Sequence, residues 1–376
     1  MALSKYKLGS LLERLEHTNS DLKYGIDDVR GVNNLKQLMP TKADLNGRDL
    51  SKFQIVNSGE FVFNHRTSRN GSKFSIAYND EDKPIICTED YVVFRISKDG
   101  EMILNAIWLY IFFNRPEFDR YVITNSWGSS TEFYNWEDLC DIEIDLPSLA
   151  IQQKYVDVYN AMLANQQNYE RGLEDLKLVC DGYIEDLRRN MPCEKIGGYI
   201  EERNERNKDK SIDFVMGLST KKEFREAQSR VNREELGSYK IVGQGDFAFV
   251  PTTDTWKVLA FSYNTFERDL VVSPIYEVFS VNKEKLLPAY LAMWLSRVEF
   301  DRYARFNSWG SARENFSMEE MKNVEIPIPD IEIQKSIVNI YNCYIERKRI
   351  NEQLKAQIKD ICPILIKGSI EEGEKD

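Results

Sequence analysis

Apolar positions along this chain change their spacing in an order that occurs twice. Clusters of apolar and β-branched residues separated by Gly, Asn and Asp, such as Phe53 to Phe63 and Tyr91 to Ile96, predict short strands. Over 103–121, and again over 286–303, apolar residues recur at helical spacing. A Gly-Ser turn follows, then a short strand ending in Pro147, or in Pro327 and Pro329. Each globular part is therefore predicted to be α+β. A long helix comes next, over 151–189 and over 331–361.

The seams of these helices are explicit. In the first, Tyr155, Tyr159, Met162, Gln166, Tyr169, Leu173, Leu176, Cys180, Tyr183 and Leu187 step by four and three, with Gln166 as the one polar member. In the second, Ile337, Ile340, Tyr344, Arg347, Asn351, Leu354, Ile358, Ile361 and Leu365 step likewise, interrupted by Arg347 and Asn351. The first helix would be about 58 Å long at 1.5 Å per residue. So wide an apolar stripe needs a partner, and antiparallel pairing of the two helices supplies one. That predicts a rod with pseudo-twofold symmetry and a globular domain at each end. Pro363 is expected to end or kink the second helix.

The pattern repeats because the residues do. Phe118-Asp119-Arg120-Tyr121 recurs as Phe300-Asp301-Arg302-Tyr303, and Asn125-Ser126-Trp127-Gly128-Ser129 as Asn307-Ser308-Trp309-Gly310-Ser311. Ile151-Gln152-Gln153 recurs as Ile333-Gln334-Lys335, all at one offset of 182 residues (118 to 300, 151 to 333). Upstream the offset drifts, pairing Leu8-Gly9 with Ile196-Gly197 and Gly59-Glu60-Phe61 with Gly245-Asp246-Phe247. The expected organisation is a first domain at 1–150, a spacer helix at 151–190, a second domain at 191–330, a second spacer helix at 331–367, and an acidic tail at 368–376. Disorder is expected only after Lys367.

Composition narrows the class. The 376 residues are 42% hydrophobic and 12% aromatic, enough for a sizeable core in each domain. No apolar run reaches the roughly 18 residues of a membrane span, and the first residues lack a secretory signal's layout. The six cysteines form no CxxC pair, which argues against zinc and disulfides and fits a reducing cytoplasm. The net charge of −11 weighs against a lone nucleic-acid binder, unless a partner supplies most phosphate contacts.

Catalytic signals are weak. His17 and His65 are the only histidines and do not match across the repeat. No GxGxxG or P-loop occurs, and Glu81-Asp82-Lys83 reads as a solvated turn. No catalytic residue, metal site or resident cofactor is expected.

The segments entering the long helices carry a resemblance. GSSTEFYNWEDLCDIEIDLPSLAIQQK (128–154) and GSARENFSMEEMKNVEIPIPDIEIQK (310–335) resemble the specificity subunit of type I restriction-modification systems. That family's chains carry Gly-Ser/Thr, a polar tetrad, a strand, Pro-x-Pro and a Gln-containing helix start. The Gly-Glu/Asp-Phe strands at 59–61 and 245–247 agree, and the likeness spans the chain twice. Departures are Glu132 and Glu314, where the family often has Gln, and Asp145-Leu146-Pro147 in place of Pro-x-Pro.

The resemblance implies two target recognition domains, each reading half of a split DNA site, with an antiparallel coiled coil as spacer. It implies two modification subunits that bind S-adenosylmethionine and methylate adenine N6. Restriction subunits using ATP and Mg would join where present. The chain itself would do no chemistry. Helix residues Tyr155, Met162, Tyr169, Leu176, Ile340, Tyr344, Leu354 and Ile361 would serve spacing and docking.

Candidate DNA-contact residues lie in loops that diverge between copies. The stretch 64–73 is basic and free of acids, with Asn64, His65, Arg66, Arg69, Asn70 and Lys73. Arginine suits guanine and asparagine suits adenine in the major groove. Its counterpart, 251–257, offers Thr252, Thr253, Trp256 and Lys257, and shares almost no residue with it, which predicts an asymmetric target. A second stretch has Lys221, Lys222, Arg225, Arg230 and Arg233, matched by Arg30, Asn33, Asn34, Lys36 and Lys42. The repeated Asn-Ser-Trp-Gly-Ser cannot distinguish two half-sites, so it is assigned to fold, phosphate contact or docking, with Trp127 and Trp309 packed. The alternative function is a scaffold that binds proteins through the duplicated domains and the helices.

Overall fold

The computed structural model describes residues 3–33, 35–41, 43–67, 73–128, 131–227, 233–253, 258–310 and 314–375. The chain divides into two compact units, Met1–Tyr169 with Ile350–Asp376, and Glu170–Arg349.

In the first unit a four-stranded antiparallel sheet runs in the order Leu12–Leu15, Tyr91–Ile96, Phe61–Asn64, Ile76–Tyr78. In the second unit Ile200–Arg203, Glu277–Val281, Phe247–Phe249 and Phe261–Tyr263 repeat that order. Alternation sets the faces. Phe61, Phe63 and Phe94 turn one way into the main core, while Val62 and Val93 turn the other way into a smaller cluster. Phe61 stacks on its cross-strand partner Phe94 at 5.1 Å, and Phe247 on Phe279 at 4.9 Å.

The helical stretches are each broken in two. Ala106–Phe113 and Pro116–Thr124 occupy the first, and Pro288–Leu295 and Val298–Phe306 the second. Proline at the first helical position starts Pro116–Thr124 and Pro288–Leu295, where its missing N–H costs nothing.

Both long helices start where a buried glutamine is held. The Gln152 amide donates to Ile103 O and Pro147 O, both at 2.8 Å, and its Oε1 accepts from Asn105 N at 2.8 Å. Gln334 repeats this with Lys285 O, Pro329 O and Leu287 N. Each side chain is wholly buried and ties the helix to two segments of its own domain.

The first long helix is Leu149–Asn190 and the second Ile331–Gly373. In each unit, a half of one packs antiparallel on a half of the other. In the first unit Lys154 and Tyr155 meet Glu372 at 2.7 and 3.1 Å, and Gln166 meets Asn351 at 2.9 Å. In the second, Ile184 and Leu187 share a core with Ile337 and Val338. The polar interruptions of the two seams therefore complement each other. Gln166 and Asn351 bond across the pair, and Gly172 leaves room for the Arg347 guanidinium, which a Cβ there would meet at 2.3 Å.

Three expectations need correction. Pro363 does not end the second helix, which runs on to Gly373. An interior proline costs about 3 kcal/mol. Burial of Cys362, Leu365 and Ile366 in the first core, with Trp108 Nε1 donating to Ser369 Oγ at 3.0 Å, offsets that cost. For the same reason the acidic end after Lys367 is helical up to Gly373, not disordered. In the first helix Tyr183 is exposed and Ile184 takes its place in the seam, because the step after Cys180 is four. Among the described residues, no helix is long and apolar enough to cross a membrane.

The buried Gln166–Asn351 bond generates a test. Gln166→Leu leaves the buried Asn351 without this bond and is expected to cost about 1–3 kcal/mol in denaturant unfolding. Gln166→Leu with Asn351→Leu recovers most of that loss. A double variant as unstable as the single one contradicts this account of the seam.

Candidate DNA interface

The diverged loops are rooted, at both ends, in features that the two copies share. At the entry to the first loop, Tyr134 N donates to His65 O at 2.8 Å and Thr67 N to Glu132 O at 2.9 Å. The same segment pairs on its other edge with the tryptophan turn, as Trp127 and Phe133 exchange backbone bonds of 3.0 and 2.9 Å. The second copy repeats the ladder. Phe316 N donates to Pro251 O at 2.7 Å, Thr252 pairs with Asn315, and Asn315 exchanges bonds of 3.0 and 3.1 Å with Trp309.

The other end of each loop is rooted in a buried ion pair. A hairpin of Arg30–Val32 and Leu38–Pro40 has Lys36 at its tip with φ +62°. In the second copy Met216–Leu218 and Phe224–Glu226 carry Lys222, with φ +63°. The left-handed backbone, unusual for a side chain as large as lysine, aims each ammonium inward. Lys36 Nζ lies 2.7 Å from Asp119 and donates to Phe113 O. Lys222 Nζ lies 2.9 Å from Asp301 and donates to Leu295 O at 2.9 Å. Asp119 also accepts Phe74 N at 3.0 Å, where the first loop rejoins the sheet. In the second copy the backbone N–H of Leu259, at the equivalent point, favours the charged form of Asp301.

The ring of Phe118 lies 5.5 Å from the Lys36 ammonium, and that of Phe300 lies 5.8 Å from the Lys222 ammonium. The repeated Phe-Asp is thus a socket for a lysine delivered from another hairpin. Burial pulls both amines below the ordinary lysine range, and the facing carboxylates oppose that shift.

Lys36 and Lys222 are therefore corrected from DNA contacts to internal positioning residues. The hairpin turn conceals them. Leu35 N and Gln37 N both donate to Asn33 Oδ1, which fixes the turn that points Lys36 into the core. Lys221 and Arg225 stay exposed on the second hairpin, with Arg225 Nε donating to Leu218 O at 3.3 Å.

In the first loop Asn64 ends a strand and accepts Arg66 N at 3.0 Å. His65 stacks on Phe133 at 5.3 Å, and burial pushes its imidazole below the usual range. Arg66 pairs with Asp90 at 2.9 Å, partly exposed. Lys73 sits against Lys359 of the second long helix, and this like-charge contact lowers the Lys359 amine. Thr252 is exposed in its short strand, and Thr253 follows it there. Arg69, Asn70, Lys42, Asn34, Arg230, Trp256 and Lys257 lie outside the described residues, as does the Arg233 side chain.

Trp127 and Trp309 are corrected from packed to exposed, at 73% and 70%. Their backbones are the paired part, and their rings lie on the outside of the ladder. The Phe-Asp and Ile-Gln repeats are visible in the sequence, but the roles of Asp119, Asp301, Gln152 and Gln334 are not. Their identical retention at one offset was the available signal.

The buried pair predicts a specific stability pattern. Asp119→Asn strands the Lys36 charge and is expected to cost about 3–5 kcal/mol. Lys36→Met with Asp119→Leu, which removes both charges, is expected to cost less than that single change in thermal or denaturant unfolding. The Lys222 and Asp301 variants should behave alike. Equal losses in single and double variants contradict the stranded-charge account.

Comparison with known proteins agrees with this geometry. Residues 259–360 match the family described as "Type I restriction modification DNA specificity domain". The chain is 21% identical over 401 aligned positions to the MjaX type I restriction enzyme specificity subunit of Methanocaldococcus jannaschii, covering 98% of this chain and 88% of that one. Its fold is similar to the crystal structure of a type I restriction-modification S subunit from M. genitalium. The TM-score is 0.60 at 10% identity, over 98% of this chain and 96% of the other. A chain from a structural study of type I restriction-modification complex assembly gives a TM-score of 0.50 at 12% identity, over 98% and 97%. With the matched domain in the second repeat, the same topology in the first, and a relative aligned along nearly the whole chain, this protein is similar to type I restriction-modification specificity subunits along its length.

Proposed function

We propose that the first repeat reads one half of a bipartite DNA target and the second repeat the other, with the paired long helices setting the spacing. The chain is a DNA specificity subunit and is itself non-catalytic. The observation that carries the finer reading is the contrast within each domain. Two diverged loops, 64–73 and 251–257, spring from equivalent roots. A common frame with different exposed side chains is what two readers of unlike half-sites require. Side chains on the loops, among them Arg66, Lys73 and Thr252 with Arg69 and Asn70, would supply the base and phosphate contacts.

The partners follow from the family. The chain works on DNA in complex with other restriction-modification subunits. We assign it two methyltransferase subunits that bring S-adenosylmethionine, docked through the long helices. Restriction subunits that use ATP and Mg complete the complex where they occur, and the setting is cytoplasmic. The acidic balance of −11 fits such an assembly, because neighbouring subunits would share the neutralisation of phosphate.

Methylation sequencing of a host that carries the full system tests this reading. Replacing residues 1–150 with the matching domain of another family member is expected to change one half of the methylated motif and leave the other intact. Deleting seven residues from each long helix, two turns, should shorten or abolish the tolerated spacer without altering the half-site bases. A swap that changes both halves, or neither, contradicts the modular reading.

A further inference from the structure

Within the repeated Asn-Ser-Trp-Gly turn, every residue but one has an internal duty. Asn125 Nδ2 donates to Tyr121 O at 2.7 Å, and Asn307 Nδ2 to Tyr303 O at 3.0 Å. Ser126 Oγ donates to Val122 O at 2.7 Å, and Ser308 Oγ to Ala304 O at 2.6 Å. Together they bond carbonyls of the preceding helix. Gly128 and Gly310 take φ of +149° and +146°, and a Cβ on Gly128 would fall 1.9 Å from Thr131 O. The tryptophan side chain alone is turned outward, in both copies. Neither core packing nor the turn's backbone requires an indole there, yet it is the same residue twice.

Its surroundings identify the ligand. Each indole stands on the ladder that roots the diverged loop, two strands away from His65 and Arg66 in one copy and from Thr252 in the other. The stretch 64–73 of the first copy is basic and free of acids. An identical group next to two different readers can only meet what the two half-sites have in common. We propose that Trp127 and Trp309 are a duplicated, sequence-independent DNA contact, each indole packing on the sugar–phosphate backbone or on the exposed edge of the base stack. This rests on the specificity reading above and adds the residue that grips whichever sequence is read. Aromatic contacts to nucleic acid tolerate sequence because every nucleotide offers an apolar face.

The test uses the full chain co-purified with its methyltransferase subunits, with two fluorescent duplexes: the methylated motif and a scrambled sequence of equal length. Trp127→Ala and Trp309→Ala are each expected to weaken binding on the order of 10-fold for both duplexes, so the preference for the motif is unchanged. Trp127→Phe and Trp309→Phe should recover most of the loss, and indole fluorescence should change when DNA is added. Unchanged DNA affinity overturns the proposal, and accompanying loss of methyltransferase subunits would make the indole a docking residue instead. A fall in affinity for the motif alone also overturns it, because the indole would then be reading sequence. If the unsubstituted complex shows no preference for the motif, the specificity reading fails first.

Discussion

In each unit the start of the long helix is held to its own domain by one buried glutamine. Gln152 and Gln334 have their amide groups saturated by backbone atoms from the strand end, the segment before the first short helix, and that helix's start. A primary amide has two donors and an acceptor at fixed angles, so the long helix leaves its domain in one direction only. Buried at no exposure, those bonds are costly to break.

A second buried polar device performs the equivalent task for the diverged loops. Lys36–Asp119 and Lys222–Asp301 tie a hairpin tip, a helix end and the returning limb of the diverged loop to one point. A buried ion pair contributes little net stability once desolvation is included. Its use here is positional. It fixes where the loop re-enters the sheet and leaves the intervening residues free to differ. The tryptophan ladder fixes the other limb, so each loop is a variable insert between two constant anchors.

The same logic accounts for the polar residues in the helix seams. Gln166 and Asn351 weaken a uniform apolar stripe but bond only in one register. The Gly172–Arg347 contact also suits one register, since a side chain at 172 would occupy the space of the guanidinium. A sliding helix pair would break both contacts, and these residues oppose it.

The sequence by itself determined the duplication, the α+β character of each copy, the long helices and the family resemblance. These depend on local periodicity and on residues repeated at one offset, which survive without knowledge of contacts. Tertiary structure decided what the charged and polar residues do. Lys36 and Lys222 read as DNA contacts because lysine is usually solvated, whereas a left-handed turn and an aspartate 83 or 79 positions away draw them inside. Trp127 and Trp309 read as core because indoles usually are, but backbone pairing of their turn with the loop root leaves them outside. Pro363 read as a stop because its local cost is visible in sequence, while the packing of Leu365, Ile366 and Ser369 that offsets it is not. In each case a short-range preference was overruled by a contact with a residue far away in the chain, and only the fold specifies which residues those are.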